Sequence, residues 1–354
     1  MSLAALGRVT INKEITWTNP RLCWEVVPVN PPTFTTTFEN ILDQGLRGEG
    51  FKDFDAHQGP ETAEASLEGL AYPEHLGYFL EAILGTARSQ VDPGIATRYL
   101  HIFNPNINCI VPSLSFEDYV PIGSANAVPI AGSVFRYSGM LCSNLTLKFN
   151  AGEGAVGWSA SFMGKGGTPA IKQTTPSETA GGGTVNPPFL GWEGSAHIGP
   201  IPGVASADQT RPRAYNKLID CEITFAREVI LEHVGQSDLQ PGLGYAGPLE
   251  ATMKATIDLS HEEDFAIYRK NYKQEFGVTI SKGDKYMSIV YPYASWLEAP
   301  IEIDRSGGHL KASWSMRGLR YAGTANSPVQ VILRNGTPSF WQADKKWGGT
   351  DSGY

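Results

Sequence analysis

Glu64–Gly85 reads EASLEGLAYPEHLGYFLEAILG, a strand that runs directly into a helix. Over Glu64–Tyr72, Ala65, Leu67, Gly69 and Ala71 fall on one face and polar or larger residues on the other, the period of two expected of a half-buried strand. At Pro73 the period changes. Leu76, Phe79, Leu80, Ile83 and Leu84 are spaced as one apolar helix face, so Pro73–Leu84 is expected to be helical. Proline suits a first helical turn, where no amide donor is needed, and Gly85 can adopt the left-handed conformation that ends a helix.

The same pattern recurs. Glu250–Leu259 alternates, with Ala251, Met253, Ala255, Ile257 and Leu259 facing one way and Thr252, Lys254, Thr256 and Asp258 the other. A helix is expected next, opened by Ser260 with Glu263 three residues on, a capping-box pattern. It carries Phe265, Tyr268 and Tyr272 on one face, and Gly277 can end it. Glu64-Ala65-Ser66-Leu67 aligns with Glu250-Ala251-Thr252-Met253 at a separation of 186 residues.

Two hairpins support a duplication. Leu141–Phe149 alternates, turns through Asn150–Gly154 and returns as Ala155–Met163. Ile301–Ile303 turns through Asp304–Gly308 and returns as His309–Met316. These align Leu147 with Ile301, Phe149 with Ile303, Phe162 with Met316 and Gly164 with Gly318, 154 residues apart. The smaller separation places about 32 extra residues in the first copy, within Thr86–Gly139, as a long loop or additional hairpin.

The expected architecture is therefore all-β, built from two tandem copies of one strand, helix and hairpin module. The first spans 1–165 with its insertion within 86–139, and the second spans 214–333. Residues 166–213 read as a Gly/Pro-rich linker or extended connection, although Phe189, Leu190 and Trp192 are unusual for a solvated linker. The last strand is expected at Val329–Leu333, and 334–354 form a C-terminal arm whose Trp341 and Trp347 are candidate contacts to a neighbour.

Composition agrees. The 354 residues include 39 glycines and 24 prolines, which break long helices and supply turns. Charged residues are sparse at 18%, and the net charge is −8. A phosphate-gripping nucleic-acid binder needs clustered Lys and Arg, so that class is disfavoured. The N-terminal sequence lacks the basic flank and apolar core of a signal peptide, and no apolar run is long enough to span a membrane. Cys23, Cys109, Cys142 and Cys221 are far apart without CxxC spacing, and read as free thiols of a protein folded in a reducing cytoplasm.

Catalytic signatures are missing. There is no HExxH, GxSxG or phosphate-binding P-loop pattern. The single GxGxxG, Gly242–Gly247, precedes a strand rather than following one, and reads as a turn. Asp53, Asp55 and His57 read as solvated loop charges, because the terminal bidentate Glu of a calcium loop is lacking. No residue is a candidate for catalysis, cofactor binding or metal ligation. A carbohydrate-binding or adhesin β-sandwich is the competing reading, with 8 Trp and 14 Tyr available to line a sugar site. Trp158 and Trp314, however, occupy strand positions expected to face a core.

The run from Gly45 to Gly85 resembles the tail tube proteins of long-tailed, non-contractile bacteriophages. The resemblance rests on the Leu46-Arg47-Gly48 step, the acid-bearing strand Glu64–Tyr72, the segment Pro73–Gly77 and the helix ending in Leu84-Gly85. The hairpin block Tyr137–Gly164 extends it. It implies two tandem antiparallel β-sandwich or barrel domains, each flanked by one short helix, in rings stacked into a tube, with a two-copy chain forming a pseudo-hexameric ring from three subunits. It also implies assembly in the host cytoplasm, a place in the virion tail, a tape measure protein and other tail proteins as partners, no enzymatic activity, and DNA only as transient cargo. A conduit should not hold its DNA, so a net negative, mixed lumen is expected. The polar faces around Glu64, Ser66 and Glu68, and around Asn144 and Thr146, are the candidate lumen surfaces.

Overall fold

The computed structural model describes residues 7–14, 16–17, 25–44, 52–119, 134–152, 154–169, 187–199, 213–215, 218–235, 239–258, 273–298, 301–303, 310–320 and 327–338. Its first half runs β1 (Arg8–Lys13), β2 (Glu25–Val27), β3 (Thr33–Asp43), β4 (Asp55–Leu70), α1 (Leu76–Leu84), β5 (Gly85–Val91), β6 (Tyr99–Pro105), β7 (Leu114–Tyr119), β8 (Val134–Asn150), β9 (Gly157–Gly164) and β10 (Thr168–Pro169). The second runs β11 (Gly194–Ile198), β12 (Arg213–Tyr215), β13 (Leu218–Glu232), β14 (Leu243–Asp258), β15 (Gln274–Lys282), β16 (Lys285–Glu298), β17 (Ile301–Ile303), β18 (Leu310–Gly318) and β19 (Gln330–Asn335). Among the described residues all strand pairs are antiparallel, and α1 is the one α-helix beside a single 3-10 turn at Gly191–Glu193, so the chain is all-β.

The pairing of the first half is repeated in the second. β1 pairs with β2 and β7, as β11 pairs with β12 and β15. β4 lies between β3 and β9, as β14 lies between β13 and β18. β8 pairs with β7, β9 and β10, as β16 pairs with β15, β18 and β19. Individual residues correspond. Phe34 faces Ala65 where Phe225 faces Ala251, and Trp158 faces Gly69 where Trp314 faces Ala255. One irregularity also matches: a bulge between Leu114 and Phe116 is repeated between Gln274 and Phe276.

One alignment read from the sequence is corrected. Trp158 corresponds to Trp314, and Ala160, not Phe162, corresponds to Met316. A slip of two residues keeps every side chain on the same sheet face, so alternation alone could not detect it.

Each half has two layers. The N-terminal part of β8 pairs in one layer with β7 and β10, and its C-terminal part pairs in the other with β9. It turns this corner at a bulge between Cys142 and Asn144; β16 has its own bulge between Trp296 and Glu298. Bulges bend a strand and increase its twist, which lets one strand serve two sheets. The layers meet through aromatic rings. Phe116 on β7 lies edge-on to Phe162 on β9 at 5.0 Å, and Phe276 on β15 packs on Trp314 of β18 at 6.4 Å.

Helix α1 ends where expected, but it begins at Leu76 after a turn over Pro73–His75, and all nine of its residues are buried, not one face alone. The additional cover comes from the segment after the helix: β5 begins at the helix stop, and with β6 forms a hairpin from Gly85↔Pro105 to Val91↔Tyr99. Gly85 is left-handed at φ 92°, and its N–H donates to Glu81 O. A Cβ there would stand 2.4 Å from Ile110 O. Glu81 tolerates burial because the Lys13 ammonium lies 2.6 Å from its carboxylate.

Other expectations meet the structure differently. The second helix over residues 260–272 lies outside the described residues. Gly277 does not end a helix; it sits within β15, where a Cβ would strike the His197 ring. The segment 166–213 contains β10, β11 and the start of β12, and Phe189 is fully buried, while Trp192 is exposed. Its glycines and prolines conceal strands too short to show a period. Gly244–Gly247 belongs to β14 rather than a turn. Asp55 and His57 stand on β4 rather than in a loop, both exposed, with His57 Nε2 3.7 Å from Asp55 Oδ2.

The two halves are joined by sheet pairing. β8 pairs with β13 over Asn144–Asn150, and β6 pairs with β19. Beside that second contact His101 is fully buried. Its Nε2 lies 2.9 Å from Asn335 Oδ1, and its Nδ1 2.7 Å from Ser89 Oγ. Asn335 Oδ1 also accepts the Thr337 N–H, so it is an acceptor and the His101 Nε2 carries the proton. Burial lowers the pKa of His101, and that of His75 likewise. A histidine held neutral in the fold binds protons more readily once unfolded, so stability falls on acidification below its ordinary value near 6.5. The urea midpoint is expected to be flat near pH 7.5 and to drop as pH falls below about 6.5, with a shallower drop in His101→Gln.

Candidate functional site

The strands pair across the middle of the chain into one continuous sheet, in the order β3-β4-β9-β8-β13-β14-β18, bordered by β17 and the end of β16. One face of it is core. Ala65, Leu67, Leu145, Leu147, Ile223, Phe225, Met253 and Trp314 are all buried there. Alternation then sends the intervening residues to the opposite face.

That opposite face is polar and runs unbroken through both halves. One cross-strand row reads Thr33, Ser66, Ser161, Asn144, Ala226, Glu250. The next reads Glu68, Ser159, Thr146, Thr224, Thr252, Arg317, Ser295. A third reads Gly157, Lys148, Glu222, Lys254, Ser315, Glu298. The candidates chosen from sequence are thus brought together. Ser66 and Asn144 share one row and Glu68 and Thr146 another, each pair two strands apart across β9, about 10 Å.

The five candidates differ in exposure. Glu64, Ser66 and Glu68 are exposed and Asn144 is half-buried. Thr146 is only 9% exposed. Its hydroxyl donates to Asn144 Oδ1 at 3.0 Å and lies 3.4 Å from Thr224 Oγ1, so it helps hold the sheet rather than presenting a free group. Trp341 and Trp347 lie outside the described residues.

Charge on this face is mixed, with acids in excess. Glu64, Glu68, Asp220, Glu222, Glu250 and Glu298 stand against Lys148, Lys254 and Arg317. Two of these cations sit beside carboxylates: Lys148 Nζ is 3.9 Å from Glu222 Oε2, and Arg317 Nη2 is 3.3 Å from Glu250 Oε1. Both pairs are exposed and add little stability. Their consequence is electrostatic, because each lowers the pull the cation would exert on an anion near this face. Among the described residues, no cluster of His, Cys, Asp or Glu is arranged to hold a metal ion.

The sequence reading omitted β13, which supplies Glu222 and Thr224 at the centre of the face. Its alternation was available, with Cys221, Ile223 and Phe225 pointing inward between polar residues. It directly follows the Gly/Pro-rich segment, where strand signals are weakest.

A family model described as phage tail tube protein matches residues 4–304, most of the chain. The chain therefore belongs to the phage tail tube protein family. It is a structural component of the virion tail that assembles with itself and other tail proteins into a tube. A comparison with curated proteins finds no match.

Proposed function

We propose that this chain forms the tail tube of a long-tailed, non-contractile phage as stacked rings of three subunits. Each chain supplies two quasi-equivalent tail-tube domains, so that a ring has pseudo-sixfold symmetry. The repeated strand pairing carries this reading: the same arrangement, with one bulge at the same place, occurs twice in one chain and is joined edge to edge by β8 and β13. A closed ring also removes sheet edges that would otherwise promote aggregation.

In this reading the polar face of the continuous sheet lines the lumen. Its acid excess and neutralised cations suit a channel through which DNA passes into the host without being held. A tape measure protein would occupy that lumen before ejection. The C-terminal arm with Trp341 and Trp347 would reach an adjacent ring. Assembly takes place in the host cytoplasm, and the protein catalyses no reaction.

The test is the mass of an isolated ring. Concentrated protein examined by negative-stain microscopy is expected to show rings or tubes, and native mass measurement of a single ring is expected to give three chains. Six chains per ring would refute the two-domain reading. Monomers at every concentration would refute ring assembly.

A further inference from the structure

The intrachain junction between the halves has an unfilled counterpart. β8 presents one edge to β13 with Asn144 opposite Ala226, Leu145 opposite Phe225 and Thr146 opposite Thr224. In the repeat, β13 corresponds to β3, and the end of β16 corresponds to this part of β8. The equivalences follow from the registers. Phe34 and Phe225 occupy matching places opposite Ala65 and Ala251. Ser295 and Trp296, opposite Arg317 and Met316, match Asn144 and Leu145 opposite Ser161 and Ala160. Among the described residues, β3 pairs only with β4, and Ser295–Glu298 pair only with β18.

We propose that β3 of one chain pairs antiparallel with the end of β16 in a second copy. The register sets Thr35 opposite Ser295, Phe34 opposite Trp296 and Thr33 opposite Glu298. The inference rests on the ring reading and names the contact that closes the ring.

Three observations support it. First, β3 is an 11-residue strand, TFTTTFENILD, with most of its length exposed and no Lys or Pro to discourage pairing. Such an edge invites another strand unless something covers it. Second, the two open edges lie at opposite ends of one sheet. That is the arrangement a heterologous contact needs in order to close a ring. Third, the side chains complement each other. Leu145 and Phe225 are fully buried at the intrachain junction. Phe34, stacked at 4.6 Å on Tyr137, remains only partly buried in the single chain, and Trp296 would complete its cover.

The interchain junction would still differ from the intrachain one. Arg227 of β13 reaches across to the Ile83 carbonyl, whereas the corresponding residue of β3 is Thr36. The intrachain junction is also bridged by β6 against β19. Three reinforced and three plainer junctions would then alternate around the ring.

Cysteine cross-linking tests the register. Directly opposed antiparallel residues have Cα atoms about 4.5–5.5 Å apart, within disulfide reach. Concentrated Thr35→Cys/Ser295→Cys protein under mild oxidation is expected to give reductant-sensitive dimers and trimers on a denaturing gel. Thr33→Cys/Glu298→Cys is expected to do the same. The offset pair Thr33→Cys/Ser295→Cys, about 7–8 Å apart, should not cross-link, nor should the single variants. Cross-linking by the offset pair alone, or by no pair while rings form normally, would overturn the register and leave the ring reading standing. Wild-type protein that forms no rings would overturn both.

Discussion

Phe79→Ala is expected to destabilise the fold by about 3–5 kcal/mol, the usual cost of emptying an aromatic site in a packed core. Phe79 is fully buried in α1. Its ring stacks on Trp158 at 4.1 Å and approaches Phe162 at 6.2 Å, joining the helix to β9. The cavity cannot readily collapse. The helix is held at its end by the left-handed Gly85, and on its outer side by the β5–β6 hairpin. Phe79→Leu keeps most of the apolar volume and should cost distinctly less. Urea unfolding followed by tryptophan fluorescence measures both, because Trp158 loses its stacking partner in the alanine variant. A loss below about 1 kcal/mol for Phe79→Ala would mean that the helix is not anchored through this ring.

Arg227→Ala is expected to cost about 3 kcal/mol or more and to act at the junction between the halves. The guanidinium is buried; Nε donates to Ile83 O at 2.7 Å and Nη1 to Gly247 O at 2.7 Å. The first bond satisfies a carbonyl in the last turn of α1, where a cation also meets the negative end of the helix dipole. Burial pushes the Arg227 pKa below its usual range, yet an arginine there keeps its charge and its donors. Truncation leaves buried carbonyls without that partner, which costs more than the net worth of the bonds. Arg227→Lys should fall between wild type and alanine, since an ammonium is a point donor and cannot reproduce the planar fork. Hydrogen exchange should report faster amide exchange in α1 and in β13 near Arg227 than elsewhere. A uniform change across the chain would show instead a general loss of stability.

Much of the fold was legible because it rests on local period. Glu64–Tyr72 alternates and β4 forms; Leu76–Leu84 recurs at helical spacing and α1 forms, with Gly85 ending it through a conformation glycine adopts freely. The spacing left room for extra chain within 86–139, and the β5–β6 hairpin follows the helix there. The acid-bearing and Asn/Thr-bearing strand faces were also readable, and they do share one surface. Less was legible where local signal is weak. The two-residue slip between Phe162 and Ala160 left every face unchanged, and β10 and β11 are too short to show a period among the surrounding glycines and prolines.

The sequence by itself determined which residues of the long strands face inward, where α1 ends, and that one strand pattern occurs twice, because these depend on neighbours a few residues apart. Only the tertiary structure decided which strand edges meet. That β8 joins β13, that β6 crosses to β19, and that Arg227 reaches Ile83 depend on residues brought together from 70 or more positions away. Alternation specifies a face but not a partner, since every strand of matching period offers the same row of amides and carbonyls. Partner choice follows from how two layers, a buried helix and a hairpin fill space together, and no local pattern encodes that.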